Sequence, residues 1–309
     1  MGIQAALLVH PDAGRGLAAR LAGYVAERLR TVVDELALHA ATTVEESRAW
    51  LQHAISGGLD VLIVVGGDGA AHHAVQFCAD TRVALGVVPC GSGNDLARAL
   101  GLPADPYDAV EVVLDALRYG YRSSIDLGAV QSPESGRDPS GSRWFATVLC
   151  GGFDARVNER ANGLRWPHGS RRYDVALLRE LLALRPGRLL VDAGQERVEL
   201  QGTLVAVGNT SAYGGGIPVC PHADPQDGLL DVTVVHRVRR RELVRILPHL
   251  RTGGHVDHPA VRTLRARSVT LSGNEWPAYA DGEPLGTMPL TVRCVSGALT
   301  MLGGAVPQG

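Results

Sequence analysis

Three short apolar runs in the first third of the chain each end in a loop that is rich in glycine. The runs cover residues 3–9, 59–65 and 83–89, and the loops after them are HPDAGRG, GGDGAA and CGSGND. Apolar runs of this length are typical of strands that are buried on both faces of a parallel sheet. Because a strand, a glycine-rich turn and a helix in this order form a βαβ unit, the pattern predicts an N-terminal α/β domain with a parallel sheet.

Helical spacing of apolar residues predicts the helices that join these strands. One helix is expected over Leu17–Leu36, and a second over Thr42–Ile55. Thr43 is the expected N-cap of the second helix, because Glu46 follows it at the spacing of a capping box. A short helical stretch, Leu96–Leu100, follows the third loop.

After about Ser123 the pattern changes to short strand-like pieces. Two helical stretches are expected among them, Ser170–Leu184 and Arg239–Leu250. The change predicts a β-rich second domain, and we place the two domains at residues 1–123 and 124–309. In an alternative arrangement the last strand returns to the first domain.

Composition excludes several classes of function. The 309 residues carry 30 basic and 32 acidic side chains for a net charge of -2, so a nucleic-acid partner is not expected. Five scattered cysteines without a CxxC pair predict reduced thiols in a cytoplasmic protein. No apolar run approaches the roughly 20 residues that cross a bilayer, so any membrane contact is expected to be peripheral.

The three glycine-rich loops predict a binding site for phosphate groups. Glycine lets a phosphate approach backbone N–H groups closely, and loops that leave parallel strands meet at one edge of the sheet. Asp68, inside the second loop, is expected to hold Mg²⁺ against the phosphates, directly or through water. Two alternatives stay open: the glycines serve tight turns alone, and Asp68 forms an Asx-turn within its own loop. Asn94 and Asp95 are expected to cap the next helix, to reach the ligand, or to do both.

Four longer motifs occur in order along the chain: GGDG, GVVPCGSGNDLARALGLP, GNTSAYGGGIPVCPHADPQDGLLDV and YADGEPL. In this combination the chain resembles the diacylglycerol kinase catalytic family, especially the soluble bacterial lipid kinases that are also similar to sphingosine kinases. The resemblance covers about Ala5–Val295. It implies an N-terminal α/β nucleotide-binding domain and a C-terminal β-sandwich-like domain that binds the lipid. It also implies transfer of the ATP γ-phosphoryl group to a lipid hydroxyl with Mg²⁺, most simply from diacylglycerol to phosphatidic acid, and a homodimer.

The resemblance also implies roles for the residues that match the family's motifs. Glu283 is the implied proton acceptor for the attacking hydroxyl, and Asp281 the implied support for Glu283 or for the metal. Taken without the resemblance, the DGE sequence at these positions is typical of a hairpin turn between the strand-like segments WPAYA and LTVRCV. The implied nucleotide-binding residues are Pro11, Gly14, Thr42, Gly66, Gly67, Asp68, Gly69, Ala70, Gly91, Ser92, Gly93, Asn94 and Asp95.

A second Mg²⁺ site is implied in the acidic loop that precedes LLDV. Asp227 is the implied carboxylate ligand, and Asp224 and Leu229 the implied sources of backbone oxygens. The residues themselves agree only in part, because carboxylates around a glycine suit a hard cation but their spacing is not that of an EF-hand. Without the resemblance this loop is typical of a solvated turn.

Two departures from the family pattern concern the phosphate loops. His10 precedes Pro11 where Asn is usual, and Ala70 follows GGDG where threonine is frequent, so one hydroxyl donor is lost. A neutral hydrogen bond contributes only about 0.5–1.5 kcal/mol net, so the backbone loops are expected to bind phosphate without it. The departures motivate one alternative, a nucleotide- or lipid-binding relative without catalysis. A second alternative is a kinase of a sphingoid base, a polyprenol or a secondary metabolite, because no residue identifies the acceptor.

Two groups of arginines indicate where such a protein would meet a membrane. Basic amphipathic faces bind anionic headgroups, so these groups predict a peripheral surface for the inner membrane face. The alternative is a solvated helix face. The first group is Arg165, Arg171, Arg172, Arg179 and Arg185, and the second is Arg237, Arg239, Arg240, Arg241 and Arg245.

Overall fold

A computed structural model describes residues 2–40, 43–131, 143–163, 176, 179–180, 183 and 185–304. The chain forms two compact units. The first consists of Met1–Leu127 together with Val295–Gly309, and the second of Gly128–Cys294. The C-terminal segment therefore belongs to the first unit, and the second unit is inserted before it.

A parallel sheet forms the centre of the first unit. Its strands are β1 (Gln4–Val9), β2 (Glu35–Ala40), β3 (Val61–Gly66) and β4 (Ala84–Pro89). They lie in the order β2–β1–β3–β4, and all neighbours are parallel. Strands β3 and β4 are buried at every position, as the apolar runs predicted. Beside β4, the C-terminal strand β15 (Leu290–Leu302) adds a parallel pairing between Met301 and Leu85.

Helices cover this sheet and complete its core. Leu21 and Val113, from two of these helices, share one apolar cluster with Leu7 and Ile63 of the sheet. The parallel sheet with its covering helices confirms the predicted α/β architecture of the N-terminal part. The helices are α1 (Ala13–Leu29), α2 (Val44–Ser56), α3 (Asp68–Cys78), α4 (Asp95–Ala99) and α5 (Pro106–Tyr119).

The first helix is shorter than its periodicity predicted. It ends at Leu29 and not at Leu36. The hydroxyl of Thr31 donates to the carbonyl oxygen of Arg28 at 2.7 Å, in the turn that leads to β2. The apolar residues after this turn still pack against the core of the first unit, but from the turn and from β2. Helical spacing therefore persisted beyond the helix, and the prediction was wrong there.

The predicted cap of the second helix is confirmed. The side-chain oxygen of Thr43 accepts a hydrogen bond from the N–H of Glu46 at 3.3 Å. This bond satisfies one of the N–H groups that have no partner within the first turn of a helix. Thr42, an implied nucleotide-binding residue, lies outside the described residues.

Antiparallel strands dominate the second unit, which confirms the predicted β-rich domain. Strand β9 (Arg197–Gly208) is central, because it pairs with three different strands along its length. The other strands of the C-terminal part, and the strand that leads into it, are β5 (Arg122–Gln131), β6 (Arg143–Phe145), β7 (Val148–Gly152), β8 (Gly187–Asp192), β10 (Leu230–His236), β11 (Val261–Ala266), β12 (Ser268–Gly273), β13 (Pro277–Ala280) and β14 (Glu283–Thr287).

The second unit also contains the helices α6 (Phe153–Gly163) and α7 (Arg240–Leu250) and a short 3-10 helix, Gly254–Asp257. Helix α7 confirms the stretch predicted from its periodicity. The predicted helix Ser170–Leu184 lies mostly outside the described residues. Among the residues that are described, no helix is both long enough and apolar enough to cross a membrane.

Candidate active site

The three glycine-rich loops come together at the carboxyl edge of the parallel sheet. A Cβ on Gly14 would lie 2.3 Å from the carbonyl oxygen of Cys90, which brings the first loop against the third. A Cβ on Gly67 would lie 3.1 Å from the Cα of Gly91, which brings the second loop against the third. Gly14 also has a φ of 61°, a value that side chains with a Cβ rarely adopt. Glycine is therefore required at these contacts for close backbone approach.

Asp68 joins the second loop to the third. Its Oδ2 accepts a hydrogen bond from the N–H of Asn94 at 2.9 Å, and its Oδ1 accepts one from the N–H of Asp95 at 2.6 Å. A Cβ on Gly93 would lie 2.4 Å from the same Oδ2. The carboxylate thus binds the first N–H groups of α4 from a different loop, which is neither of the two predicted roles. Each carboxylate oxygen can accept further bonds, so a metal contact remains compatible with this arrangement.

Asn94 closes the third loop on itself. Its Oδ1 accepts the N–H of Gly91 at 2.9 Å, and its Nδ2 donates to the carbonyl oxygen of Gly91, also at 2.9 Å. Asn94 stands at the N-cap position of α4 with a left-handed φ of 52°, but its side chain makes no cap bond there. The paired bonds instead fix residues 91–94 as a tight loop that carries Ser92 at its tip.

The second loop ends at the start of α3. Gly67 is the N-cap, and Asp68, Gly69 and Ala70 form the first turn, whose N–H groups have no partner inside a helix. Ala70 is buried, and a Cβ on Gly66 would lie only 2.4 Å from its methyl carbon. A glycine is therefore needed at position 66 for the sharp entry into the helix.

His10 begins the first loop, and it differs from the asparagine that is usual in the resembled family. Burial lowers the pKa of its imidazole. Its Nε2 is buried and has no hydrogen-bond partner among the described residues. The N–H of Ala13 donates to the His10 carbonyl oxygen at 3.0 Å, which turns the chain at Pro11 from β1 into α1.

Asp281 and Gly282 form the turn of the β13–β14 hairpin in the second unit. Both have positive φ values, 52° and 85°, and the residues on either side, Ala280 and Glu283, are paired across the hairpin. Positive φ at both central positions is typical of a type I′ turn, which favours an Asp-Gly sequence. The hairpin turn that the residues predicted by themselves is therefore present. The predicted second strand was wrong, because LTVRCV belongs to β15 and pairs with β12.

The Asp281 carboxylate reaches from this turn to the chain before β7. Its oxygens accept hydrogen bonds from the N–H of Ala146 at 3.0 Å, the N–H of Thr147 at 2.9 Å and the Thr147 hydroxyl at 2.6 Å. These bonds hold the hairpin turn in one position. Glu283, the first residue of β14, is half-buried beside it.

Tyr279 lies within electrostatic reach of Glu283. Burial raises the pKa of the Tyr279 hydroxyl, and the charges of Glu159, Cys150 and Glu283 add to that rise. Tyr279 packs with Cys150 and Ala155 in a small buried cluster. This cluster places the hairpin turn next to the first turns of α6, an association that the motifs did not predict.

A buried polar group at the start of α6 was also missed. Burial raises the pKa of Asp154, and a hydrogen bond with Tyr213 opposes the rise. The Oδ2 atom of Asp154 is buried without a hydrogen-bond partner among the described residues. Asn158, one turn later, donates to the Asp154 carbonyl oxygen at 3.3 Å and contacts the sulfur of Cys150 at 3.6 Å. The only signal in the sequence is an isolated carboxylate directly after an apolar strand.

The acidic loop that resembles a metal site contains an ion pair. Asp227 accepts the N–H of Leu229 on Oδ1 at 2.8 Å, and its Oδ2 contacts the guanidinium of Arg265. Arg265 also donates from Nε to Asp231 at 3.1 Å. Burial raises the pKa of Asp231, and the charge of Arg265 opposes that rise. Asp224 accepts the N–H of Gln226 at 2.9 Å within the loop.

This geometry bears on the implied Mg²⁺ ligands. Within the described ranges, no group of three or more His, Cys, Asp or Glu side chains is placed to hold a metal ion. The implied Mg²⁺ ligands are one carboxylate and two backbone oxygens, so the presence or absence of three such side chains does not test them. The Mg²⁺ site therefore stays a prediction. Asp227 fits a hard cation in chemistry, but the cation would share its Oδ2 with Arg265.

Comparison with known proteins agrees with the motifs. Residues 4–130 match the model of the diacylglycerol kinase catalytic domain, and residues 147–303 match that of the YegS C-terminal NAD kinase beta sandwich-like domain. A diacylglycerol kinase of Mycobacterium tuberculosis is 39% identical over 298 residues, covering 96% of this chain and 93% of the relative. A diacylglycerol kinase of Staphylococcus saprophyticus is 26% identical over 290 residues, covering 93% of this chain and 90% of the relative.

A solved structure shows the same fold. The crystal structure of a diacylglycerol kinase from Bacillus anthracis str. Sterne matches with a TM-score of 0.72 at 18% identity, over 98% of this chain and 97% of the other. Fold and sequence relatives thus confirm the predicted family and, with it, the enzyme class of ATP-dependent lipid kinases. The chain belongs to the diacylglycerol kinase family.

Proposed function

We propose that this kinase transfers the γ-phosphoryl group of ATP to the hydroxyl of diacylglycerol, giving phosphatidic acid and ADP. The observation that carries the proposal is the convergence of three glycine-rich loops at one sheet edge, tied together by Asp68. Diacylglycerol is favoured as the acceptor because the relatives at 39% and 26% identity carry the name diacylglycerol kinase.

The first unit is the proposed ATP site. The N–H groups in the first turn of α3 and the glycines of the third loop supply donors for phosphate oxygens, and the helix N-terminus favours negative charge. Thr42 stays part of the proposal although it lies outside the described residues. The proposed contacts are Pro11, Gly14, Thr42, Gly66, Gly67, Asp68, Gly69, Ala70, Gly91, Ser92, Gly93, Asn94 and Asp95.

Mg²⁺ is the proposed metal cofactor, and when bound it neutralises charge on the transferred phosphoryl group. Asp68 supports this role because its oxygens keep lone pairs beyond the two backbone bonds. A second, structural Mg²⁺ is proposed at Asp227, with the backbone oxygens of Asp224 and Leu229.

Glu283 is the proposed proton acceptor. The acceptor oxygen forms a bond to the γ-phosphorus, its proton moves to the Glu283 carboxylate, and the bond from that phosphorus to the bridging oxygen of ADP breaks. A half-buried carboxylate next to a fixed turn suits this task, because Asp281 holds the turn by three hydrogen bonds. Asp281 is therefore proposed as a positioning residue.

We further infer that the enzyme acts as a peripheral protein at the cytoplasmic face of the inner membrane, since its acceptor is dissolved in a bilayer. The resemblance also implies a homodimer. The molar mass of the purified protein, measured by analytical ultracentrifugation, tests this expectation.

The test is phosphate transfer from γ-labelled ATP to diacylglycerol, sphingosine and a polyprenol in mixed micelles, with Mg²⁺ or with a chelator. The proposal expects labelled phosphatidic acid only when Mg²⁺ is present. A product from sphingosine or the polyprenol alone would assign a different acceptor. Binding of ATP without any labelled lipid would favour a relative that has lost catalysis.

A further inference from the structure

Helix α7 and the segment before it present an unusual density of positive charge. The only carboxylate between residues 237 and 251 is Glu242, whereas the whole chain has a net charge of -2. All the arginines of this stretch are exposed to solvent. They are Arg237, Arg239, Arg240, Arg241, Arg245 and Arg251.

Among the described residues, no carboxylate neutralises this charge through an ion pair. The Oε2 of Glu242 accepts the N–H of Arg239 at 3.4 Å and so serves as part of the helix N-cap. Across the described part of the chain, none of these arginines forms an ion pair with a carboxylate, whereas Arg188 and Arg262 of the same unit do. The positive field of the helix is therefore available to a partner of opposite charge.

The helix is anchored on one side and open on the other. Leu243 and Ile246 are buried in the apolar core that lies beneath α7. Val244 is half-exposed, at 50%, and it lies on the outer side of the helix together with Arg241 and Arg245. An exposed apolar side chain between arginines suits the headgroup region of a bilayer, where the charge meets phosphate and the apolar group enters the acyl boundary.

We propose that this face of α7, with the arginines that precede and follow it, docks the protein on a bilayer containing anionic phospholipids. The partner is identified by charge complementarity and by the exposed Val244. Each arginine near such a surface strengthens the partition of the protein from water onto the membrane about fivefold. Together the arginines are therefore expected to bind the membrane strongly, and added salt is expected to weaken this binding. The inference deepens the proposed function, because a lipid kinase must reach its acceptor in a bilayer.

A nucleic acid offers the same negative charge but is a poorer fit. Single-stranded nucleic acids bind through aromatic side chains that stack on bases, and residues 237–251 contain no Phe, Trp or Tyr. An exposed valine adds nothing to contact with a phosphate backbone. The observations therefore favour the lipid surface.

The experiment is co-sedimentation of the full chain with vesicles in the absence of ATP. Vesicles of phosphatidylcholine with one-third phosphatidylglycerol are compared with phosphatidylcholine alone, in about 0.1 M salt, where charges still act over roughly 10 Å. The test variant is Arg240→Gln, Arg241→Gln, Arg245→Gln together. The matched control removes the same charge from exposed positions of the first unit: Arg30→Gln, Arg82→Gln and Arg122→Gln.

The wild type and the control variant are expected to bind the vesicles that contain phosphatidylglycerol and not to bind those of phosphatidylcholine alone. The α7 variant is expected to bind them about a hundredfold more weakly, with unchanged circular dichroism and unchanged unfolding. Equal weakening in both variants, or binding by the wild type to a single-stranded oligonucleotide and not to vesicles, would overturn the proposal. Vesicle binding is measured independently of catalysis. Weaker vesicle binding by the α7 variant supports the docking face even if no lipid is phosphorylated. If the enzyme is an active kinase but the variant binds vesicles as the wild type does, the docking face is wrong and the proposed function stands.

Discussion

The carboxylate of Asp68, at the start of α3, accepts a hydrogen bond from the backbone N–H of Asp95, at the start of α4, at 2.6 Å. Its other oxygen accepts the N–H of Asn94. One side chain thereby fixes the relative position of two loops that leave neighbouring parallel strands. The shape of the proposed phosphate site depends on this side chain before any ligand is present.

Replacing Asp68 by Asn is expected to lower the free energy of unfolding as well as ATP binding. The amide keeps the size of the side chain, but its NH₂ group cannot accept a hydrogen bond from the N–H of Asn94 or Asp95, so one of the two bonds is lost. Hydrogen bonds to charged groups contribute about 1.5–3 kcal/mol, so a loss of about 2 kcal/mol is expected in urea unfolding. The control is Asp12→Asn, because Asp12 stands at the N-cap position of α1 without a side-chain cap bond. Equal stability of both variants would contradict the linking role of Asp68.

The two acidic residues of the β13–β14 hairpin are expected to differ in their effect on stability. Asp281→Asn disrupts bonds to Ala146 and Thr147 and is expected to cost about 3 kcal/mol in urea unfolding. Glu283→Gln is expected to change the unfolding free energy by less than about 1 kcal/mol, because the amide keeps the size of this half-buried side chain and removes no hydrogen bond that holds the turn. The two residues would be assigned the wrong roles if Glu283→Gln proved the more destabilising variant.

Arg265 is expected to control how strongly Mg²⁺ binds near Asp227. The guanidinium neutralises Asp227 and Asp231 together, so Arg265→Gln leaves two carboxylates without their cation. We expect the variant to be less stable without Mg²⁺, by about 1–2 kcal/mol, and to be stabilised by added Mg²⁺ more than the wild type. Thermal unfolding with and without Mg²⁺ measures both effects.

Arg262→Gln is the matched control for that measurement. It lies on the same strand and pairs with Glu196 at the surface, where an ion pair contributes about 0–1 kcal/mol. A response to Mg²⁺ that is the same in both variants and in the wild type would show that no cation replaces Arg265 beside Asp227.

Asp154 is expected to make stability fall as the pH rises. Burial raises its pKa above the usual 3.8, so the folded chain keeps this proton at pH values where the unfolded chain has lost it. The unfolding free energy therefore declines from about pH 4 up to the raised pKa, and is unaffected below that window. Asp154→Asn has no proton to lose, so this decline is expected to be smaller in urea unfolding across pH. The exposed Glu275→Gln is the control, and an identical pH dependence in all three proteins would contradict the role of Asp154.

Much of the architecture could be predicted from local pattern. The buried strands β3 and β4 are continuous apolar runs, and the cap at Thr43 follows from a spacing within one turn. The apolar pattern did not predict strand β2, because ELALHA is half-exposed at the edge of the sheet and follows residues that continue the helical spacing of α1. Only the resemblance implied a second strand, before Thr42. The local pattern therefore predicted the strands that are buried at every position, and it failed for the partly exposed strand at the edge of the sheet.

The contacts of the site required the structure. Asp68 bonds to N–H groups of Asn94 and Asp95, and no pattern within the second loop identifies them. Arg265 faces Asp231 through the pairing of β10 with β11, and β11 itself was not predicted. Motifs thus named the residues that are expected in the site, whereas the hydrogen-bond partners of those residues depend on strand order and register.

The role of Glu283 as proton acceptor is tested by the rate of labelled phosphate transfer to diacylglycerol, measured for the wild type and for Glu283→Gln in mixed micelles with saturating ATP and Mg²⁺. If Glu283 is the general base, Glu283→Gln lowers this rate by about 10²–10⁴-fold, while ATP binding and the free energy of unfolding stay unchanged. A Glu283→Gln variant that transfers phosphate at the wild-type rate would contradict this role.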